Sequence, residues 1–136
     1  MLKVGVLGAG HLGKIHIKCL KNLPEHYELT GFFDPDPQTA RLVSEEFGLK
    51  AYGSIEELVD ANEVVDIVTP TLDHYDCAKT AIRKFRHVFI EKPITNAPEE
   101  ARELIKLAEE AKTRAQVGHV ERFNPAFLSV KDQVKN

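Results

Sequence analysis

The residues with the clearest chemical spacing in this chain are three glycines and one aspartate. Gly8, Gly10 and Gly13 form a G-x-G-x-x-G turn directly after the apolar segment LKVGVL, and Asp34 ends the apolar segment ELTGFF. In a turn of this kind the backbone approaches a pyrophosphate, and an acid about 20 positions further on accepts hydrogen bonds from ribose hydroxyls. The pattern therefore predicts a dinucleotide-binding site.

Each glycine of this turn has its own expected role. Gly8 permits the tight turn out of a strand, Gly10 lets the backbone approach the pyrophosphate, and Gly13 allows the following helix to pack close to the strand. The backbone amides of His11 and Leu12 then lie at the positive end of that helix, where phosphate binds. The alternative, that these glycines serve only a turn, does not explain the acid that follows.

Asp34 favours NAD over NADP. Its carboxylate can accept hydrogen bonds from the adenosine ribose and would repel a 2′-phosphate. No basic residue follows it before Arg41. The alternative role for Asp34 is a helix N-cap, for which Asp36 is better placed.

The segment VVDIVTPTLDHYD places polar residues just beyond a fourth predicted strand. Ligands of open α/β sheets bind at this carboxyl edge. Thr69 and Thr71, on either side of Pro70, are expected to hydrogen-bond the cofactor's phosphate or ribose. His74 has two open interpretations: a cofactor contact, or the start of a helix near the surface.

The segment HVFIEKPIT places Glu91, Lys92 and Pro93 after a fifth strand, on the same edge. A lysine beside a nicotinamide can hydrogen-bond a substrate hydroxyl, favour its alkoxide and pass the proton onward. Most lysines that follow a strand are solvated, but Pro93 restricts Lys92 to an extended conformation and permits a cis bond. We therefore expect Lys92 to be catalytic and Glu91 to lie beside the cofactor.

A sixth strand is followed by further polar residues, whose role stays open. Their types suit a polar or anionic substrate, but Glu121 and Arg122 could equally form a structural ion pair. Cys19 and Cys77 have neither disulfide nor zinc spacing and are interpreted as small buried side chains. The histidine spacing predicts no metal site. The polar residues after the sixth strand are Gly118, His119, Glu121, Arg122 and Asn124.

Composition limits the class of protein. The chain has 136 residues, 43% of them apolar and 29% charged, with a net charge of −3. These values are typical of one soluble globular domain, and the absence of a dense basic block argues against nucleic-acid binding. No apolar run is long enough for a membrane helix, and a strand that begins at residue 2 or 3 leaves no room for a signal peptide. We expect a cytoplasmic protein.

The elements that must position these residues alternate between strand and helix. Strands are predicted near residues 2–7, 28–33, 50–52, 64–69, 87–91 and 115–120. The alternation predicts an α/β fold of the Rossmann type, a doubly wound, mainly parallel sheet with helices on both faces. Three helical stripes are expected to pack on the sheet: Leu12, Ile15, Cys19, Leu20 and Leu23; Ala78, Ala81, Ile82 and Phe85; and Ala101, Leu104, Ile105 and Ala108.

A helix is predicted to begin at Pro125, with Asn124 as its N-cap. We expect residues 1–123 to form an NAD-binding domain. Residues 124–136 are expected to start a helix that leads out of this domain; the family resemblance given next implies that it leads into a substrate and dimerisation domain absent from this chain.

Several stretches resemble one family. GVLGAGHLGKIH, FFDPDP, AYGSIEELV, VDIVTPTLDHYDCA, HVFIEKPIT and GHVERFNPAF resemble the N-terminal half of the Gfo/Idh/MocA family, named for glucose-fructose oxidoreductase and inositol dehydrogenase. The resemblance implies an NAD-dependent dehydrogenase, usually oligomeric, that acts on a sugar, cyclitol or nucleotide-sugar. It also implies Lys92 as an active-site residue and a second α+β domain that supplies the acid/base group. The GHVERFNPAF ending resembles members that oxidise nucleotide-sugars.

Two alternatives to a dehydrogenase remain. A non-catalytic sensor or regulator of the same family would keep the nucleotide site without the chemistry. A methyltransferase has a similar glycine turn and ribose-binding acid, but no role for Gly13 or for the Glu91-Lys92-Pro93 turn. By itself the chain is expected to bind NAD(H) with little or no turnover.

Overall fold

The computed structural model describes residues 1–134, with side chains described up to residue 131. Six strands form one sheet in the order β3-β2-β1-β4-β5-β6, and every pairing is parallel. This is the doubly wound arrangement that the alternating pattern predicts. The strands are β1 (Leu2–Leu7), β2 (Tyr27–Phe33), β3 (Lys50–Ala51), β4 (Val64–Ile67), β5 (His87–Ile90) and β6 (Ala115–Val117).

Helices pack on both faces of this sheet. Successive side chains of each strand point to opposite faces, so both faces carry apolar side chains that a helix can bury. Ile17 and Val43 pack with Val6 and Phe32 on one face, which places α1 and α2 there. The remaining helices up to α5 pack on the opposite face against Leu7 and its neighbours. The helices are α1 (His11–Lys21), α2 (Pro37–Phe47), α3 (Ile55–Ala61), α4 (Thr71–Arg83), α5 (Pro98–Ala111) and α6 (Pro125–Val134).

The parallel register brings the ends of the central strands to one edge. Leu7, the last residue of β1, pairs with Phe33 at the end of β2 and with Ile67 at the end of β4. Ile67 in turn pairs with Ile90 at the end of β5. The loops that follow these four strands therefore start side by side.

Four strands end earlier than predicted. In each case the backbone turns away after a single further backbone hydrogen bond. β3 ends at Ala51, β4 at Ile67, β5 at Ile90 and β6 at Val117. Residues Val120–Phe123, partly assigned to a sixth strand, form a 3-10 turn instead. The helix predicted from Pro125 is present, and residues 135 and 136 lie outside the described residues.

The predicted contact face of α1 is wrong. α1 packs on the sheet through Gly13 and Ile17, whereas Leu12, Ile15 and Leu23 of the predicted stripe are exposed. The close approach at Gly13 turns the helix so that the apolar stripe lies beside the sheet instead of on it.

The stripe residues Leu12, Ile15, Cys19 and Leu20 line an open cavity of about 610 Å³. Val64, Asp66 and Phe89 of β4 and β5 line the same cavity.

Three other side chains predicted to be buried are exposed. Cys19 lies on the open side of α1, and Ile105 lies on the outer side of α5. Phe85 follows the end of α4, where its φ of 60° reverses the chain direction. Cys77 is buried as expected. None of the helices in residues 1–134 combines the length and apolar character needed to cross a membrane.

Two isoleucines of α1 test the corrected contact face. Ile17 is 0% exposed and Ile15 is 42% exposed. We expect Ile17→Ala to lower the free energy of unfolding by about 2–5 kcal/mol, the cost of a buried cavity. The same change at Ile15 should alter it by about 0.5 kcal/mol, as at other surface sites. Urea unfolding measures both, and equal losses would contradict the packing described here.

Candidate functional site

The glycine turn joins β1 to α1, and two of its glycines are required by the chain itself. Gly8 has a φ of +89°, and a Cβ there would lie 2.7 Å from the Val68 carbonyl oxygen. A Cβ at Gly13 would overlap the carbonyl oxygen of Gly8. Gly10 differs, because nothing lies within 4 Å of its ideal Cβ. The space above Gly10 is therefore open for a ligand.

This open space belongs to a cavity of about 850 Å³ at the carboxyl edge of the sheet. No described side chain caps the N-terminus of α1, so the backbone amides of its first turn have no side-chain acceptor. His11 and Leu12 both line the cavity. A helix end of this kind attracts an anion. The cradle fits the pyrophosphate of a dinucleotide.

Asp34 lines the same cavity and holds two loops. Its Oδ2 accepts a hydrogen bond from the Ala9 amide at 2.8 Å, and its Oδ1 accepts one from the Asp36 amide at 3.0 Å. Asp36 is the N-cap of α2, since its carboxylate accepts the amides of Gln38 and Thr39. Each carboxylate oxygen has a second lone pair. Asp34 therefore retains acceptor capacity toward the cavity.

The charge around this cavity is acidic. Asp34, Glu56, Asp73 and Asp76 all line it, and no lysine or arginine does so. Cys77 also lines it, but burial raises the pKa of its thiol to about 11, so it is not a nucleophile at neutral pH.

The segment after β4 contributes in two ways. Thr69 and Pro70 line the cavity, and Thr71 is the first residue of α4. His74 is 1% exposed, so a surface position at the helix start is wrong. Its Nδ1 lies 2.9 Å from the Pro93 carbonyl oxygen and its Nε2 lies 2.9 Å from that of Thr69. His74 thus links the loop after β4 to the loop after β5.

Glu91, Lys92 and Pro93 form the turn after β5. Glu91 is buried, Lys92 is exposed, and the Lys92–Pro93 bond is cis. Lys92 lines the cavity beside α1 and also a second one of about 920 Å³.

The cavity of about 920 Å³ is lined by the chain that follows β6. Gly118, His119, Glu121 and Arg122 line it together with Lys92. Glu121 accepts a hydrogen bond from the Asn124 amide group at 2.7 Å, and Arg122 forms no ion pair with a described residue. The alternative of a Glu121–Arg122 ion pair is therefore not realised.

One polar cluster near this turn has no counterpart in the sequence analysis. His16 of α1 lies between two carboxylates: its Nδ1 is 2.9 Å from Asp66 Oδ2, and its Nε2 is 3.3 Å from Glu91 Oε1. Asp66 lies in β4, and its Oδ1 is buried without a hydrogen-bond partner among the described residues. The signal that could have found this cluster is the charged residue inside the apolar run VVDIV, because a buried carboxylate needs a partner.

The cluster of His16, Asp66 and Glu91 favours the protonated forms of His16 and Asp66. Burial disfavours a charged His16 ring, but the hydrogen bond to Asp66 and the negative charges of Asp66 and Glu91 outweigh it, so the pKa of His16 is raised. Burial also raises the pKa of Asp66, although His16 opposes this. Among residues 1–131, no group of three or more histidine, cysteine and acidic side chains is arranged to hold a metal ion.

Comparison with known proteins points to one family. A family model described as an oxidoreductase family with an NAD-binding Rossmann fold matches residues 2–119. UDP-N-acetylglucosamine 3-dehydrogenase from Acidithiobacillus ferrooxidans is 36% identical over 93% of this chain and 39% of its own length. Glucose-6-phosphate 3-dehydrogenase from Bacillus subtilis is 33% identical over 100% of this chain and 37% of its own.

Solved structures agree in fold. The chain superposes on UDP-N-acetylglucosamine 3-dehydrogenase from Acidithiobacillus ferrooxidans with a TM-score of 0.89 and 34% identity, covering 97% of this chain and 41% of that one. For scyllo-inositol dehydrogenase from Lactobacillus casei with bound NAD(H) and scyllo-inositol, the TM-score is 0.89 at 25% identity, covering 99% and 41%. The chain thus spans about 40% of the length of the relatives that it matches.

The buried cluster predicts a dependence of stability on pH. Because the pKa of His16 is raised above its ordinary 6.5, the stabilisation is complete below pH 6.5 and is lost as the pH rises through the folded-state value. We expect the stability advantage of the wild type over His16→Gln to shrink above pH 6.5. Urea unfolding across that range measures it.

The matched control for this experiment is His26→Gln, since His26 is an exposed histidine 3.6 Å from Glu25. Its unfolding free energy should follow that of the wild type across the range. An advantage over His16→Gln that stays constant with pH would contradict the assignment.

Proposed function

The chain belongs to the Gfo/Idh/MocA oxidoreductase family, and on that basis we propose that it is the cofactor-binding part of a dehydrogenase that oxidises a secondary alcohol of a sugar or cyclitol. Residues 1–123 form the NAD-binding unit in this proposal. The observation that carries it is the common edge on which the uncapped start of α1, Asp34 and Lys92 all lie.

The cofactor in this proposal is NAD. The residues that would hold it are the amides of His11 and Leu12 at the pyrophosphate, Asp34 at the adenosine ribose, and Thr69 beside Pro70. Four carboxylates line the cavity, and no lysine or arginine of the described residues does so, so a 2′-phosphate would be repelled. Glu91 and His74 support the site through their contacts with Lys92 and with the loop carbonyls.

Lys92 is the proposed catalytic residue. Bound NAD supplies the hydride acceptor. The Lys92 ammonium would hold the substrate hydroxyl by a hydrogen bond and stabilise the alkoxide, while the hydroxyl proton would pass to the acid/base group that the second domain of the family supplies. Its exposure at the turn, without an ion pair to a described residue, leaves the ammonium free for this role.

A nucleotide-sugar is the proposed substrate. Lys92 and Arg122 line the same cavity as a single carboxylate, Glu121, and this excess of positive charge favours an anionic substrate such as one with a diphosphate. The 36% identity with a UDP-N-acetylglucosamine 3-dehydrogenase supports this choice.

Calorimetric titration tests the cofactor assignment. We expect the chain to bind NADH, and to bind NADPH more weakly. Asp34→Asn removes the charge and keeps an acceptor for only one of the two loop amides, so NADH affinity should fall by about tenfold or more, as for loss of a hydrogen bond to a charged group. The difference between the affinities of this variant for NADH and for NADPH should be smaller than in the wild type. Unchanged NADH affinity in this variant would remove Asp34 from the ribose site.

Substitution of Lys92 in the full-length protein tests whether this residue takes part in the reaction. With UDP-N-acetylglucosamine and NAD, Lys92→Met should lower kcat by about 100-fold or more, the usual cost of removing a donor that stabilises a developing oxyanion. NADH affinity should not change, because the proposed cofactor contacts lie elsewhere. Lys84→Met, which removes a surface ion pair with Asp60, is the matched control. Full activity of Lys92→Met would contradict the assignment.

A further inference from the structure

His16 occupies a position that the proposed cofactor site does not use. It projects from α1 between Asp66 of β4 and Glu91 after β5, with both ring nitrogens within 3.3 Å of a carboxylate oxygen. A ring that carries a proton on each nitrogen can donate to both carboxylates. Burial opposes this charged ring, but the two carboxylates outweigh burial and raise the pKa of His16, which favours the doubly protonated form. The bridge therefore joins three elements through one ring.

Glu91 connects the His16 ring to the backbone of Lys92. While its Oε1 faces His16, its Oε2 accepts the backbone amide of Lys92 at 3.0 Å. The same Oε1 packs against Gly118, where a Cβ would lie 2.7 Å from it. The carboxylate is thus in contact with both the His16 ring and the Gly118 backbone.

We propose that His16 is a positioning residue that holds the Glu91 carboxylate, and through it the Lys92 backbone, so that the protonation of His16 and the placement of Lys92 are coupled. The importance of this coupling for catalysis rests on the proposed function of Lys92. The coupling itself lies within this chain and needs no cofactor.

When His16 loses a proton, the nitrogen that is deprotonated is Nε2, which faces Glu91. A neutral ring keeps one N–H, and it keeps it toward Asp66, which is closer and has a second oxygen without a partner. The Nε2 lone pair then faces Glu91 Oε1, and the two acceptors repel. Glu91 turns away, and the Lys92 amide loses its acceptor.

The groups that could alter this titration are few. Asp66 faces His16 from β4, and Glu91 and Lys92 face it from the turn after β5. Cys19 of α1 and Tyr27 of β2 line the same cavity. The remaining neighbour is the Phe89 ring, which meets the His16 ring edge-on at a centroid distance of 6.0 Å.

NMR titration of the wild-type chain tests the coupling. We expect both ring nitrogens of His16 to be protonated below pH 6.5, with a midpoint above that value. The Lys92 amide resonance should shift with the same midpoint, because its acceptor moves when His16 loses its proton. A Lys92 amide that does not follow His16, or a His16 ring with one unprotonated nitrogen below pH 6.5, would overturn the proposal.

Two variants separate positioning from general stability. In His16→Gln the pH-dependent shift of the Lys92 amide should disappear. In the control His26→Gln, which changes an exposed histidine beside a carboxylate, it should remain. If His16→Gln does not fold, Glu91→Gln replaces it: this change removes one acceptor charge and should lower the His16 midpoint. Retention of the wild-type midpoint in Glu91→Gln would overturn the proposal.

Failure of this inference differs from failure of the proposed function. If the chain binds NADH but the Lys92 amide does not titrate with His16, the positioning role is wrong and the cofactor assignment stands. If the amide follows His16 but NADH does not bind, the coupling stands and the proposed function is wrong. In the protein as expressed from its gene, His16→Gln should change the pH profile of kcat while NADH affinity is retained.

Discussion

The close contact between the start of α1 and the end of β1 determines the geometry of the whole site. A Cβ at Gly13 would overlap the Gly8 carbonyl, so the helix can lie this near to the strand only because residue 13 is glycine. Asp34 ties this turn to the end of β2 through the Ala9 amide. The direction of α1, the uncapped amides and the open space over Gly10 all follow from that contact.

The same contact explains why charges are buried under the turn after β5. With α1 held against β1 through Gly13 and Ile17, His16 is directed over β4 and β5. There it meets Asp66 and Glu91. Two buried carboxylates without a cation would be strongly destabilising, and one imidazolium ring between them offsets much of that cost. The desolvation that remains raises the pKa of Asp66, whereas the proton of His16 is held against desolvation by the two carboxylates.

Much of the fold and of the cofactor cradle could be predicted from the sequence, because each depends on local chemistry. Gly8 and Gly13 are needed for backbone geometry, and Asp34 ends a strand, so spacing alone identifies them. The face of α1 could not be predicted. Periodicity shows that Leu12, Ile15 and Cys19 share one side of a helix, but not whether the sheet or an open cavity lies there.

The interaction between His16 and Asp66 could not be predicted for a related reason. It joins elements that are distant in the chain, and the segment VVDIV alone does not indicate which residue pairs with its aspartate.

The open cavity beside α1 affects the strength of the His16 bridge. The side chains of His16, Asp66 and Glu91 are 16%, 8% and 7% exposed, and all three line this cavity. Water that reaches them screens their charges. Any group that covers the apolar rim of Leu12, Ile15 and Leu20 would exclude that water and strengthen each interaction in the bridge. The coupling between His16 and Lys92 is therefore weakest with the cavity open and becomes stronger when the cavity is covered.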